Sequence, residues 1–84
     1  MQPVPIESLR NLGPKSSGWL RQVGIETIED LEDVGPTFAF CRVREQMPRV
    51  SLNLLWALAA GLQGNDWREL DLETKARLRE EIDA

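Results

Sequence analysis

Apolar residues recur along the chain at helical spacing, three or four positions apart, in short segments that glycine and proline residues separate. No segment shows the strict apolar–polar alternation of a half-buried strand. The pattern predicts an all-α fold: a compact bundle of five or six short helices, one domain over residues 6–84, after a flexible lead-in at residues 1–5. The predicted helical segments are Ile6–Leu12, Pro14–Val23, Ile28–Val34, Pro36–Gln46, Ser51–Gln63 and Leu72–Ile82.

The second of these segments carries clear signals at both ends. Pro14 suits the first position of a helix, where its missing N–H removes no intrahelical hydrogen bond. Gly24 suits the left-handed position after a helix, and Ile25 just beyond it is placed to contact Leu20, as in a Schellman ending. Gly18 lowers helix propensity by about 1 kcal/mol, which suggests that another backbone approaches closely at this point.

Two later helices have candidate side-chain caps. Thr27 is placed to cap the third segment, with Asp30 three residues on in a capping-box arrangement, and Asp71 is placed to cap the last segment. We expect the inward-facing apolar residues of these two helices to be Ile28, Leu31 and Val34 in the third, and Leu72, Ala76, Leu78 and Ile82 in the last.

The segment Ser51–Gln63 is apolar around almost its whole circumference. A helix of this kind must be buried on most sides. It is either the buried central helix of the domain, which is the interpretation we prefer, or one half of a homodimer interface. Trp19, Trp56 and Trp67 each lie beside leucines, a pattern typical of core and edge packing and not of a base-stacking platform.

Composition narrows the possible chemistry. The 84 residues include no histidine, no tyrosine and one cysteine. Histidine-dependent nucleophiles, histidine-ligated metals and internal disulfides are therefore excluded within one chain. We expect a protein that is not an enzyme and holds no cofactor or metal, with Cys41 in the core. The absence of a leader or membrane-spanning run, together with a lone thiol, predicts a cytoplasmic protein without a membrane partner.

The net charge of −4 argues against nucleic-acid binding by bulk charge, but the charges are unevenly distributed. Residues 1–24 carry three basic residues against one acidic, a net of +2. Residues 25–34 carry five acidic residues and no basic one, a net of −5, and residues 35–50 return to +2 with three basic residues against one acidic. This distribution can be that of an ordinary solvated surface. Alternatively, the acidic helix and an arginine-bearing face bind different partners, or the acidic helix of one chain binds the arginine-bearing face of a second copy.

Two blocks, Leu9–Leu20 and Gly24–Leu31, resemble a helix-hairpin-helix unit, in which a tight glycine-containing turn joins two short helices and a third helix follows. In DNA-binding units of this kind, backbone N–H groups at the hairpin contact phosphates without reading the base sequence. The alternative is that Gly13 and Pro14 merely start a helix whose Lys15 is solvated. The resemblance implies a candidate phosphate or DNA site made of Gly13, Lys15, Ser16, Ser17 and Arg21.

Three further arginines make a second candidate site. Arg42 and Arg44 lie in the fourth predicted helix, and Arg49 lies in the loop that follows it. Either they form a second basic face that binds phosphate, or they solvate a helix and a loop.

A longer pattern adds Ser51–Leu58 to the two blocks of the hairpin unit. In this order and spacing, the three blocks resemble the C-terminal domain of the TfoX/Sxy competence regulators, over nearly the whole chain. The resemblance implies a non-enzymatic regulatory module linked to natural-competence genes, which acts through unidentified protein partners as a monomer or homodimer. Weak duplex DNA binding without sequence specificity is the alternative function.

Overall fold

Five α-helices and two short 3₁₀ turns make up most of residues 3–83, the part of the chain that the computed structural model describes. Within that range no strand is present, apart from an isolated antiparallel bridge between Pro5 and Thr27. The all-α prediction is confirmed. The helices are α1 (Pro14–Gln22), α2 (Ile28–Val34), α3 (Pro36–Gln46), α4 (Leu52–Leu62) and α5 (Leu72–Asp83), and the 3₁₀ turns are Ile6–Ser8 and Trp67–Glu69.

Helix α4 is the centre of the domain. Every residue from Leu54 to Gly61 is buried, as the lack of a polar face predicts. The helix packs against α3 and against the 3₁₀ turn Trp67–Glu69. The 3₁₀ turn Ile6–Ser8 and helices α1, α2 and α3 contribute side chains that are almost completely inaccessible to solvent, namely Ile6, Leu20, Leu31, Phe40 and Val43. The prediction of a buried central apolar helix is confirmed.

The predicted Schellman ending of α1 is present. Gly24 adopts the left-handed conformation, with φ +89°, and its N–H donates to the carbonyl of Arg21 at 3.1 Å. The N–H of Ile25 donates to the carbonyl of Leu20 at 2.9 Å, and both side chains are buried in the core. These two bonds satisfy carbonyls that the end of a helix otherwise leaves unpaired. Pro14 occupies the first helical position, as predicted.

The predicted side-chain caps are also present. The N–H of Asp30 donates to Oγ1 of Thr27 at 3.0 Å, and the N–H of Thr27 donates to Oδ2 of Asp30 at 3.2 Å. The N–H of Glu26 donates to the same carboxylate at 3.1 Å. At the start of α5, the N–H of Thr74 donates to Oδ1 of Asp71 at 2.7 Å. Each capped helix therefore begins where local sequence places it.

The segment Ile6–Leu12 is not the two-turn helix that its apolar spacing predicts. It makes one 3₁₀ turn, and the chain is already extended at Leu9, with φ −67° and ψ 133°. Asn11 then takes a left-handed conformation, with φ +78°. Side-chain bonds explain this departure: Nδ2 of Asn11 donates to the carbonyl of Asn65 at 2.9 Å, and the N–H of Trp67 donates to Oδ1 of Asn11 at 3.3 Å. These long-range bonds shape the turn from Leu9 to Ser17, which leads into α1 and which we call the hairpin.

The lead-in predicted at residues 1–5 falls partly on Met1 and Gln2, which lie outside the described residues. The rest of it pairs with the segment before α2. The N–H of Ile28 donates to the carbonyl of Val4 at 2.9 Å, and the N–H of Ile6 donates to the carbonyl of Glu26, also at 2.9 Å. These bonds attach the start of the described chain to the corner between α1 and α2.

The prediction that a side chain faces the core is wrong for three residues. Leu72 is 83% exposed and Ala76 is exposed as well, whereas Leu78 and Ile82 are buried. Because successive residues of a helix are rotated by 100°, Leu72 and Ala76 lie on a different face of α5 from Leu78 and Ile82. Only the face with Leu78 and Ile82 packs on the core. Val34 is 40% exposed because the chain turns into α3 directly after it, which leaves this end of α2 at the surface.

The close backbone approach predicted at Gly18 is also wrong, because a Cβ atom placed there meets nothing within 4 Å. The close approach occurs at Gly61 instead. A Cβ atom there would lie 2.7 Å from the carbonyl oxygen of Arg10 and about 3 Å from the side chain of Leu9. Glycine at position 61 therefore allows the hairpin to pack directly on α4.

The first prediction follows from this contact. Gly61→Ala forces the hairpin backbone away from α4, and we expect it to lower the free energy of unfolding by about 1–3 kcal/mol. Gly18→Ala is the matched control, because it adds the same methyl group to an open helical position. We expect the control to be neutral or stabilising by up to about 1 kcal/mol. Urea unfolding followed by circular dichroism measures both; equal stability of the two variants would contradict the close packing at Gly61.

The second prediction concerns pH. The hydrogen bond from the N–H of Glu26, together with those from Thr27, holds the pKa of Asp30 below its ordinary value of 3.8, against the opposing effect of desolvation. A lowered pKa in the folded state stabilises the protein above the ordinary value, and this stability is lost as the pH falls through the folded-state pKa. We expect Asp30→Ala to make the free energy of unfolding less dependent on pH below pH ~4.

Asp33→Ala is the matched control, because Asp33 lies on the same helix but makes no capping hydrogen bond within the described residues. Thermal unfolding of both variants at a series of pH values makes the comparison. An unchanged acid dependence in Asp30→Ala would contradict the role of the capping box.

Candidate functional site

The predicted phosphate site begins at the first turn of α1. Gly13 is the N-cap residue, with an extended backbone at φ −94° and ψ 177°, and Lys15 is exposed beside it. The first N–H groups of a helix have no intrahelical acceptor. The N–H groups of Lys15 and Ser16 belong to this first turn. One part of an anion site is therefore in place here.

The two serines do not complete that site. Ser17 is only 2% exposed, and its hydroxyl donates to the carbonyl of Gly13 at 3.0 Å. Ser16 is half-buried and lines a groove beside α1. The Ser17 hydroxyl is therefore buried and donates its hydrogen to the Gly13 carbonyl, which leaves it unavailable to a ligand at Lys15.

Arg21 lies at the opposite end of α1 from Lys15. Their separation of six positions corresponds to about 9 Å along the helix axis. Its guanidinium forms an ion pair with Glu7 and lies 4.0 Å from a carboxylate oxygen of Glu26. These carboxylates compete with any phosphate for Arg21, and the structure does not bring Arg21 to the hairpin.

The three arginines of the second candidate face have three different surroundings. Nη2 of Arg44 donates to the carbonyl of Ile82 at 3.3 Å, which attaches α3 to the last turn of α5. Arg42 lies 3.6 Å from a carboxylate oxygen of Glu45 on the same helix. Arg49 is exposed in the loop after α3. The structure therefore does not bring all three guanidinium groups together.

A groove runs between α1, the loop from α3 to α4, and the start of α4. It has an inner part of about 340 Å³ and an outer part of about 600 Å³, and Trp19, Val50 and Ser51 line both. We call it the Trp19 groove. The inner part is also lined by Asn11, Ser16, Asn53, Leu54, Ala57 and Trp67. The outer part is also lined by Gln46, Met47, Pro48 and Arg49.

The Trp19 groove has the chemistry of a binding surface. Its lining is mainly apolar and aromatic, and among these residues, all of them in the described part of the chain, Arg49 carries the one charge. The hydroxyl of Ser51 accepts a hydrogen bond from the N–H of Asn53 at 3.0 Å, so it caps α4. A concave apolar surface with a few polar groups binds apolar side chains or ligands.

Sequence reasoning missed this groove. It assigned Trp19 and Trp67 to core and edge packing, and both are in fact half-buried against the core, with one side open to the groove. The sequence signal that could have revealed the groove is the loop from Met47 to Val50. This loop contains apolar residues, although a loop between two helices usually lies at the surface, in contact with water.

Cys41 packs against the core, and Nη2 of Arg44 lies 3.7 Å from its Sγ atom.

Within residues 3–83, no three acidic or cysteine side chains come together as metal ligands. Over the same range, every helix is too short or too polar to cross a bilayer.

Comparisons with known proteins place the chain in a family. Two crystal structures from Listeria monocytogenes are similar to it. One, an uncharacterised protein in a triclinic form, is 34% identical with a TM-score of 0.85, and the match covers 90% of this chain and 86% of that one. The other, a protein of unknown function in a tetragonal form, is 35% identical with a TM-score of 0.84, over 89% and 93%. No curated protein matches the chain.

The family comparison covers nearly the whole sequence. The model of the TfoX C-terminal domain matches residues 3–82, which include all three blocks of the sequence resemblance, the hairpin and the lining of the Trp19 groove. The chain therefore belongs to the TfoX C-terminal domain family.

Proposed function

We propose that this chain is a non-enzymatic, cytoplasmic regulatory module that acts through protein contacts at the Trp19 groove. The observation that carries the proposal is the groove itself: an open, largely apolar surface with tryptophan on two sides and one arginine. Aromatic residues, methionine and arginine are the residue types enriched in protein–protein interfaces. Trp19, Met47 and Arg49 supply all three.

Membership of the TfoX C-terminal domain family supports a regulatory role. The resemblance to the TfoX/Sxy competence regulators implies a role in promoting expression of natural-transformation genes. We propose the same class of process for this chain, with contact to another protein as its mechanism.

Duplex DNA binding at the hairpin is the second candidate function. One observation favours it: Lys15 is exposed at the first turn of α1, where N–H groups lack intrahelical acceptors. Two observations oppose it, because Ser17 bonds within the hairpin and Arg21 bonds to Glu7. We therefore rank it below protein contact.

The regulatory proposal predicts a phenotype in the source organism. Deletion of the gene is expected to lower transcript levels of natural-transformation genes, and the wild-type gene is expected to restore them. Arg49→Glu reverses the charge inside the groove without removing any buried side chain, and we expect it to fail to restore expression. Arg79→Glu is the matched control, because it makes the same change at an exposed position of α5. Equal complementation by both variants would contradict a role for the groove.

A titration with duplex DNA tests the second candidate. If the protein acts by protein contact, Lys15→Glu and Arg79→Glu are expected to show the same weak affinity as the wild type at about 50 mM and at about 200 mM salt. DNA binding at the hairpin instead requires that Lys15→Glu alone loses affinity and that the salt dependence of the remaining binding decreases. Fluorescence anisotropy of a labelled duplex measures both quantities.

A further inference from the structure

We propose that the occupant of the Trp19 groove is a second copy of this chain, which inserts Phe38 and the exposed end of its acidic helix α2. The inference rests on the proposed function, because it names the partner of the same groove. It is carried by two surfaces of one molecule that are both apolar and are opposite in charge.

The inserted surface is an apolar projection at the junction of α2 and α3. Phe38 is 53% exposed, and Val34 is 40% exposed. Val34 is the last residue of α2 and Phe38 lies in the first turn of α3, so the two lie on either side of the same corner. A large aromatic side chain held at the surface on a rigid helix is a typical anchor for a partner's pocket.

Charge favours a contact between this corner and the groove. Glu29, Glu32 and Asp33 are exposed on α2, and none of them makes an ion pair within the described residues. The groove has the opposite character: Arg49 lines it and no carboxylate does. Lys15 adds a second cation one helical turn before Trp19. In the proposed dimer, the acidic α2–α3 junction with its exposed apolar side chains therefore contacts a groove that is apolar and positively charged.

The positions of the two surfaces allow a closed dimer. Phe38 and Gln46 lie two helical turns apart on α3, about 12 Å along its axis. If two copies place their α3 helices antiparallel, Phe38 of each copy reaches the groove of the other. An antiparallel register that places Arg42 of one copy opposite Glu45 of the other brings unlike charges together on both sides of the two-fold axis. Assembly then closes at two subunits.

Sedimentation of the purified chain tests the proposal. We expect the apparent mass to rise from 9.5 kDa toward twice that value as concentration increases over the range from about 10 µM to about 1 mM. Phe38→Ser is expected to weaken association at least about tenfold, the usual effect of removing an aromatic anchor. Added salt is expected to weaken association as well, because the charged contacts are at the surface.

Leu72→Ser is the matched control for Phe38→Ser. Leu72 is the most exposed large apolar side chain in the described part of the chain, and it lies on α5 and lines no part of the groove. We expect it to leave association unchanged. Circular dichroism of both variants checks that they remain folded. Equal association of Phe38→Ser and Leu72→Ser would overturn the proposal, as would a wild-type chain that stays at 9.5 kDa at the highest concentration.

A mixing experiment distinguishes insertion into the groove from contact between two like surfaces. Phe38→Ser retains an intact groove, and Arg49→Glu retains an intact Phe38. A dimer of either variant alone has both contacts altered, whereas a mixed dimer has one unaltered contact, between Phe38 of one copy and the groove of the other. We expect each variant alone to associate weakly and the mixture, with one copy fluorescently labelled, to associate more strongly. No gain on mixing would overturn the proposal.

The outcomes also separate this proposal from the regulatory one. A chain that remains monomeric, while Arg49→Glu still fails to restore gene expression, overturns self-association and supports a groove that binds a different protein. A dimer that forms as described, with no effect of gene deletion on transcripts, supports self-association and contradicts the regulatory role.

Discussion

The contact between the hairpin and the end of α4 is the constraint on which the rest of the structure depends. Gly61 has no side chain, and this allows the backbone at Arg10 to pack against α4. Asn11 then bonds through its amide to the carbonyl of Asn65 and to the N–H of Trp67. These bonds connect parts of the chain that are more than 50 residues apart in sequence. In a domain of this size, with a thin core, such a connection decides how the two halves meet.

The same contact forms the Trp19 groove. The hairpin leads directly into α1, and Trp19 of α1 lines the groove together with Val50 and Ala57. Asn11 and Trp67, which make the attachment, also line the inner end of the groove. A residue pair that fixes the fold therefore also fixes the shape of the binding surface. This coupling explains why the hairpin departs from the helical conformation that its apolar spacing favours.

The features that sequence predicts well are those with local causes. Thr27 and Asp30, or Gly24 and Ile25, satisfy each other's hydrogen bonds within a few residues, so their spacing alone identifies them. The left-handed conformation of Asn11 has its cause in a partner far away in sequence, and no local pattern reveals it. The candidate site shows the same division. Lys15 lies at an exposed helix start, as the motif implies, whereas the partners of Arg21 and Arg44 lie on other elements and are set by packing.

The distribution of charge favours a protein over a nucleic acid as the partner. Helix α2 packs on α3 and on the 3₁₀ turn Ile6–Ser8, and so does α1, so the carboxylates of α2 lie within roughly 10–20 Å of the hairpin. This distance is one to two Debye lengths at about 0.1 M salt. Residues 25–34 include five acidic side chains and no basic one. These negative charges therefore partly repel a DNA duplex bound at Lys15. A protein segment in the groove contacts Arg49 and an apolar floor, and it gains from burial that salt does not screen.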